Sequence, residues 1–445
     1  LFYGIYRLLT RLSFILLFPG FLVYALLTGK HWKGLGQRLG CYRGILIAAA
    51  DGGPVIWLHA ASVGEIKAAE VLVTRLRSEI PQAALVLTTM TEQGLQVARQ
   101  QLNHQVDCLF APLDLPGAVD RAIRHLRPDL YLCLETELWP NMLAALRKRG
   151  IPCFLLNARL SDKSFRRYRR LRSFTSQVLD SFESIAAISA ADAERLATLK
   201  VAPEKILVCG NVKYDLEPLP DQENIRRDWQ RRLGLSADTP VLVAGSTHSG
   251  EELLLLEVCR ALKRSLPGLV LILAPRHLGR LEPVGDELAG AGAEYDLLSL
   301  IKEKGRLHDL ILVDTMGDLA SLYAVATFIF CGGSLVDRGG HNIMEAASWG
   351  RPVLYGPSMK DFADAKALLE AGGGGFQVAD CAELLSRIKQ LADDPDFYRQ
   401  AATGAGKTAL SQRGAADLQL QPVLAAIRRL GDNNGNKAGA KPGQA

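Results

Sequence analysis

Carboxylates stand at two places where an apolar strand pattern hands over to a helical one. In WLHAASVGEIKAAEVL (57–72) the strand ends, Ser62, Val63 and Gly64 turn, and Glu65 falls in the first turn of the next helix. From there it can act as a general base at the end of a strand. An acidic residue at that position also has a plainer use, complementing the helix dipole and the free N–H groups of the first turn. The same dipole lowers a carboxylate pKa, so Glu65 serves as a base only where burial pushes back. In LETELWPN (134–141) Glu135 ends an apolar strand and Glu137 follows two residues later, on the same side if the strand continues. Paired carboxylates there point to a site; capping of the following helix by Thr136 or Glu137 is the structural alternative.

Basic groups follow. NARLSDKSFRRYRRLR (157–172) interleaves Lys163 and arginines 166, 167, 169, 170 and 172 with Phe165 and Tyr168. A solvated helical face and a surface for phosphates or membrane headgroups both fit, because arginine forks match phosphate oxygens. In the second half, AGSTHSGEE (244–252) reads as a strand, a small-residue turn and a helix start, whose N–H groups can hold a phosphate or simply be capped. LILAPRH (271–277) ends a strand on Arg276 and His277, and DTMGDLASLYAVA (314–326) puts Gly317 and Asp318 at a helix entry. The segment 331–362 carries glycine pairs 332–333 and 339–340 around a short helix at 343–349. Asn342 and Glu345 share one face of its first turn. Glu345 is expected to bridge ribose hydroxyls, and the glycines to let backbone approach a phosphate. No segment fits a dinucleotide fingerprint or a P-loop in context.

The elements that hold these residues alternate regularly. Strands are expected at 55–60, 84–90, 106–111, 129–135, 152–157, 184–189 and 206–210. A second series is expected at 241–246, 269–274, 310–314, 327–333 and 352–355, with helical stretches between. That rhythm means a doubly wound α/β fold in both halves of the 445 residues, joined by the polar, proline-containing segment 214–224. Two such sheets bring the carboxyl ends of their strands to a shared cleft, where ligands bind.

Charge is uneven. The chain has 52 Lys and Arg against 47 Asp and Glu, and the first fifty residues hold Arg7, Arg11, Lys30, Lys33, Arg38 and Arg43 with no acidic residue. The rest is essentially neutral, which excludes a polyanion binder using its whole surface, and RNA binding lacks a fold signature. The basic excess flanks residues 12–28, seventeen residues without a charge. As helix these reach roughly 25 Å against a hydrocarbon core of about 30 Å, a marginal membrane span. A cleaved leader, ending near the alanines at 48–50, is disfavoured because the larger charge cluster follows the apolar run. The positive-inside tendency then puts everything after residue 30 in the cytoplasm. The eight cysteines show no CxxC or Cys/His metal spacing and read as reduced core residues.

Taken together, SVGE (62–65), TMTEQG (89–94), ETELWPN (135–141), NARLS (157–161), GNVKYD (210–215), STH (246–248), PRH (275–277), DTMGDL (314–319) and GGSLVDRGGHN (332–342) resemble the 3-deoxy-D-manno-octulosonic acid (Kdo) transferases, in order from about residue 1 to 425. The resemblance implies a GT-B glycosyltransferase fold, two Rossmann-like domains facing a cleft. It implies an anchor at 1–30, an acceptor-binding domain at 31–218, a CMP-Kdo-binding domain at 219–430 and a disordered tail at 431–445. CMP-Kdo is the implied donor, a lipid A precursor the acceptor and inner-membrane lipids the surroundings, with the catalytic domains on the cytoplasmic face. No cofactor, metal or nucleic acid is expected. Glu65 matches the family's catalytic base, and Glu135 and Lys213 match positions of transition-state stabilisation. Pro275 and Arg276, then Met316, Gly317 and Asp318, then Asn342, Ile343, Met344 and Glu345 fall on its CMP-binding segments. Asp318 and Asp361 stand where some relatives carry Glu and Asn, polar changes that leave the activity in place. The alternatives are another membrane-associated GT-B enzyme using a UDP-sugar and a non-catalytic nucleotide-binding module; intact Glu65, Glu135 and Lys213 argue against the latter.

Overall fold

The computed structural model describes residues 2–28, 34–42, 53–102, 105–215 and 221–439. Much of the basic flank after the expected anchor, the alanines at 48–50 and the middle of the expected linker lie outside them. The chain divides into two compact units, Leu1–Asp215 with Gly414–Ala445, and Leu216–Arg413.

The first unit is built on seven strands: β1 Val55–His59, β2 Ala84–Thr89, β3 Asp107–Phe110, β4 Leu130–Leu134, β5 Cys153–Ala158, β6 Ser184–Ala187 and β7 Ile206–Val208. Their order is β3-β2-β1-β4-β5-β6-β7, and every pairing is parallel. The central strands are buried along their length because helices cover both faces, which is why they read as unbroken apolar runs. Trp57 is fully buried between these layers, its indole N–H donating to Thr88 Oγ1 at 2.8 Å and its ring edge-on to Tyr131. Burying such a side chain stabilises the fold by about 1.5–3 kcal/mol.

The second unit repeats the design with β8 Val241–Thr247, β9 Val270–Pro275, β10 Asp296–Leu297, β11 Leu310–Leu312, β12 Phe328–Cys331, β13 Val353–Tyr355 and β14 Gly375–Gln377. These are ordered β10-β11-β9-β8-β12-β13-β14, again all parallel. The doubly wound α/β class is as expected from the sequence. Strands β10 and β14 were not anticipated; two or three residues at a sheet edge are too short to show a period. The strand order reverses at the centre of each sheet, between β1 and β4 in the first and between β8 and β12 in the second. Ligands of open α/β sheets bind at the carboxyl ends beside such a reversal.

Two features correct the expected domain layout. The helix Ala415–Gly439 belongs to the first unit, not the second. Ala415, Ala416, Leu420, Val423 and Ala426 form an apolar stripe that joins Leu72 and Leu76 in one buried cluster. Asp215 accepts from the Gly414 and Ala416 N–H groups at 2.7 Å each and so caps the returning helix. That helix continues to Gly439, through residues expected to be a disordered tail.

At the other end, the helix Phe2–Thr28 runs unbroken through Pro19. Its stretch Phe2–Phe21 is long and apolar enough to cross a membrane and has no buried residue, so the candidate span begins ten residues before the uncharged run and includes Arg7 and Arg11. Its first turns rest on the body. The Tyr6 hydroxyl donates to Asp114 Oδ2 at 3.0 Å, Asn141 Nδ2 donates to Thr10 Oγ1 at 3.3 Å, and Phe2, Tyr3 and Tyr6 surround Phe174.

Candidate active site

Parallel register fixes the first site. Leu58 lies beside Leu132 and His59 beside Cys133, so the chain leaves β1 and β4 at neighbouring points of the strand-order reversal. From β1 it runs through Ala60, Ala61 and Ser62 into the helix Val63–Glu79. Ser62 occupies the N-cap position, yet its side chain does not cap the helix. Instead its hydroxyl donates to Glu65 Oε1 at 2.9 Å, while the Ala61 N–H donates to Oε2 at 2.7 Å. Glu65 is only 5% exposed. Burial, reinforced by the nearby charges of Glu135 and Glu137, raises its pKa to about 7 against the pull of its two donors. The requirement posed by the sequence, that burial overcome the helix N-terminus, is met.

From β4 the chain turns at Glu135, which adopts φ of 53°, a left-handed conformation a non-glycine residue takes up at a cost. Its Oε1 accepts from Lys213 Nζ at 2.5 Å, across 78 residues of sequence. Neither partner is more than a quarter exposed. Glu137 is raised by burial and then by Glu135, with Arg167 pulling the other way. The basic segment is the helix Asp162–Arg170, docked by Phe165 and Tyr168, with the Tyr168 hydroxyl donating to Thr136 O at 3.3 Å. Its arginines at 166, 167, 169 and 170 face outward.

Lys213 is positioned by a chain of amides, Asn157 and Asn211 from the NARLS and GNVKYD segments and Gln419, which the sequence did not flag. Asn211 Oδ1 accepts from the Lys213 N–H at 3.0 Å and Asn157 Oδ1 from the Val212 N–H at 3.1 Å. Asn157, itself left-handed at φ 53°, donates its own N–H to Gln419 Oε1 at 2.7 Å, and Gln419 Nε2 donates to Gly210 O at 2.8 Å. Asn157 and Gln419 are buried. Only the folded return of the C-terminal helix reveals Gln419; an isolated glutamine in a helical stretch carries no signal.

In the second unit the carboxyl ends of β8, β9 and β12 converge. The Arg276 N–H donates to Thr247 O at 3.0 Å, bringing the PRH segment beside STH. His248 and His341 stack with their Nε2 atoms 3.0 Å apart, and His277 lies edge-on to His248. Burial lowers the His248 pKa, as do the charges of His277, Arg338 and Arg280. The glycine-rich turns, however, are not open to a phosphate. Buried Glu251 accepts from the N–H groups of His248, Gly333, Ser334 and Leu335 at 2.7–3.1 Å. Burial raises its pKa while these donors pull it down. Gly332 donates to Gly245 O, Gly339 to Ser358 Oγ and Gly340 to Gly333 O. An internal carboxylate thus fills the place expected for a ligand anion, and Gly332 is needed for close packing: a Cβ there would lie 2.7 Å from Thr247 Cα.

The remaining candidate residues divide. Pro275 closes β9 in the core, while Arg276 is exposed. Met316 is 86% exposed, followed by left-handed Gly317 and by Asp318, whose carbonyl receives the first N–H groups of the helix Leu319–Leu322. Asn342 Oδ1 accepts from the Met344 N–H at 3.0 Å and caps the helix Ile343–Ala347. Ile343 and Met344 are fully buried, so their side chains belong to the core; Glu345 is half-buried. The Trp349 indole, donating to Ala320 O at 2.7 Å, ties this segment to the one carrying Met316 to Asp318.

Residues 33–216 match the family model described as 3-deoxy-D-manno-octulosonic-acid transferase (kdotransferase). The chain is 33% identical over 399 residues to the 3-deoxy-D-manno-octulosonic acid transferase of Haemophilus influenzae, covering 89% of this chain and 91% of that protein. It is 32% identical over 388 residues to the enzyme of the same name from Chlamydophila psittaci, covering 86% and 87%. Among solved structures, the UDP-GlcNAc 2-epimerase of Neisseria meningitidis shares the fold, with a TM-score of 0.55 at 15% identity over 83% of this chain and 99% of that one. The chain therefore belongs to the 3-deoxy-D-manno-octulosonic acid transferase family, and it is a glycosyltransferase.

Proposed function

We propose that the protein is an inverting transferase that moves Kdo from CMP-Kdo to a lipid A precursor, lipid IVA, in lipopolysaccharide biosynthesis. The observation that carries this reading is Glu65, a buried carboxylate with a pKa of about 7 at the end of β1, beside the Glu135–Lys213 pair at the end of β4. A base poised near the working pH combines a useful deprotonated fraction with enough basicity to take a hydroxyl proton. Glu65 takes the proton of an acceptor sugar hydroxyl as its oxygen bonds to the anomeric carbon of Kdo. The bond from that carbon to the phosphate oxygen breaks and its electron pair leaves with CMP. One displacement inverts the centre and needs neither cofactor nor metal.

Lys213, held by Glu135, supplies positive charge where oxygen charge changes in the transition state. In the second unit Pro275, Arg276, Met316, Gly317, Asp318 and the Asn342 to Glu345 segment serve the CMP moiety. With the glycine-turn N–H groups already engaged, the exposed Arg276 side chain is the phosphate partner.

The N-terminal helix attaches the enzyme to the inner membrane with both units in the cytoplasm. Its first turns are docked on the body, and the free part, residues 14–27, is about 21 Å long. That is short of the roughly 30 Å needed to span, so the helix enters one leaflet and does not cross. The test is mass spectrometry of lipid IVA incubated with the protein, CTP, Kdo and a CMP-Kdo synthetase. Wild type adds the mass of Kdo, while Glu65→Gln adds none and is still stabilised thermally by CMP. Absence of product from wild type, or stabilisation by UDP and not CMP, overturns the assignment.

A further inference from the structure

We infer that the groove between the N-terminal helix and the body of the first unit seats an acyl chain of the glycolipid acceptor; this rests on the lipid acceptor proposed above. From Tyr3 to Phe21 one face of that helix borders the body, in contact over the first turns and across a groove beyond them, and its chemistry changes midway. Tyr3, Tyr6 and Thr10 touch the body directly or by hydrogen bond. Phe14, Phe18 and Phe21 continue the same face at helical spacing and stack on one another, with centroids 4.4 and 6.1 Å apart. These rings border a groove of about 910 Å³. Its opposite wall sets Leu35, Met90, Leu113 and Leu115 among the polar Arg38, Thr91, Glu92 and Asp114. The volume lies in the range of about 300–1,000 Å³ typical of small-molecule sites.

What fills it follows from the other side of the helix. Ile15 and Leu16 are 65% and 76% exposed at the same level. A helix apolar all round at one level is surrounded by hydrocarbon, not by water. A groove on its inner face is then filled from that hydrocarbon. Hydrogen bonds tie the groove wall to the Glu65 loop. Met90, in its wall, donates its N–H to Ala61 O at 3.3 Å, and Thr89 Oγ1 donates to the same oxygen at 3.1 Å. Ala61 in turn holds the Glu65 carboxylate. On the Met90 side, Arg38 donates to Met90 O at 2.7 Å and lies over Phe110, placing a guanidinium beside Glu92 where a phosphorylated headgroup would leave the groove. An acyl chain seated here brings its sugar to the base, which a bilayer lipid without the sugar would not exploit.

The experiment uses the full chain in phospholipid vesicles with an acceptor bearing a photoactivatable acyl chain, adducts being mapped by mass spectrometry. Adducts are expected on groove residues such as Phe18, Leu113 and Leu115, and are competed by unlabelled acceptor. Two groove-filling variants, Leu113→Trp in the body and Phe18→Trp on the exposed helix, are compared on acylated and deacylated acceptor. The ratio of kcat/KM for the two acceptors is expected to fall about tenfold or more in each. CMP-dependent thermal stabilisation reports that each variant is folded. Adducts confined to Leu171 and Phe174 on the helix's other flank overturn the inference, as does labelling equally competed by plain phospholipid or an unchanged ratio. Wild type that transfers to no lipid defeats the proposed function; wild type that transfers but is not labelled in the groove defeats only the groove.

Discussion

Ser62→Ala tests the base assignment without touching the base. The Ser62 hydroxyl donates to Glu65 Oε1 at 2.9 Å and makes no capping bond, so its removal acts on the carboxylate and leaves the helix start intact. A hydrogen bond to a charged group contributes about 1.5–3 kcal/mol. Ser62 is exposed and water replaces part of that bond, leaving about 1 kcal/mol. At 1.36 kcal/mol per unit this raises the Glu65 pKa by roughly 0.7, from about 7 toward 8. The assay is kcat/KM for acceptor across pH, whose acidic limb reports the free enzyme's base. The variant should fall about fivefold behind wild type on the acidic limb and rejoin it on the alkaline plateau. A limb that stays in place, or a uniform loss at every pH, refutes the argument that this hydroxyl holds the catalytic charge.

Three further outcomes follow from the same geometry. Glu135→Gln removes a negative neighbour of Glu65, so the acidic limb should move down in pH, opposite to Ser62→Ala, while kcat falls with the loss of the Lys213 partner; an upward shift would contradict the repulsion. Glu65→Gln should abolish transfer yet stabilise the protein at alkaline pH. A carboxyl raised from 4.5 to about 7 binds more protons folded than unfolded, so its contribution falls as pH rises through that window, by about 3 kcal/mol in total. Thermal melts of wild type and variant should therefore diverge as pH rises through it and run parallel below it. Gln419→Ala orphans the buried Asn157 N–H and Gly210 carbonyl and should cost about 2–4 kcal/mol by denaturant unfolding. It should also reduce kcat through the loosened Lys213 loop, whereas an unchanged kcat would deny the amide chain a positioning role.

Much of the site was legible locally. Glu65 and Glu135 stand out because a strand ending in a short turn and a helix start is a pattern of neighbouring residues, and the apolar runs of buried parallel strands mark where those turns fall. The glycine-rich segment at 331–342 misled for the same reason. Its pattern fits a phosphate cradle, but the donors are used by Glu251, some eighty residues earlier, and no local rule anticipates a buried carboxylate arriving from another strand's helix. Ile343 and Met344 likewise sit in a candidate binding segment, yet the three-dimensional packing turns both inward.

The sequence by itself determined the doubly wound class, the apolar N-terminal helix and the two carboxylate turns, because each depends on periodicity and turn chemistry within a dozen residues. Tertiary structure alone decided that β1 and β4 are neighbours, which brings Glu65 near Glu135, and that Lys213 reaches across 78 residues to pair with it. It also decided that the C-terminal helix returns to support Lys213 through Gln419, and that the Phe14, Phe18 and Phe21 face meets a groove. The reason is physical: a carboxylate becomes a base near pH 7 through burial and neighbouring charge, and both are set by strand order and packing rather than by any run of adjacent residues.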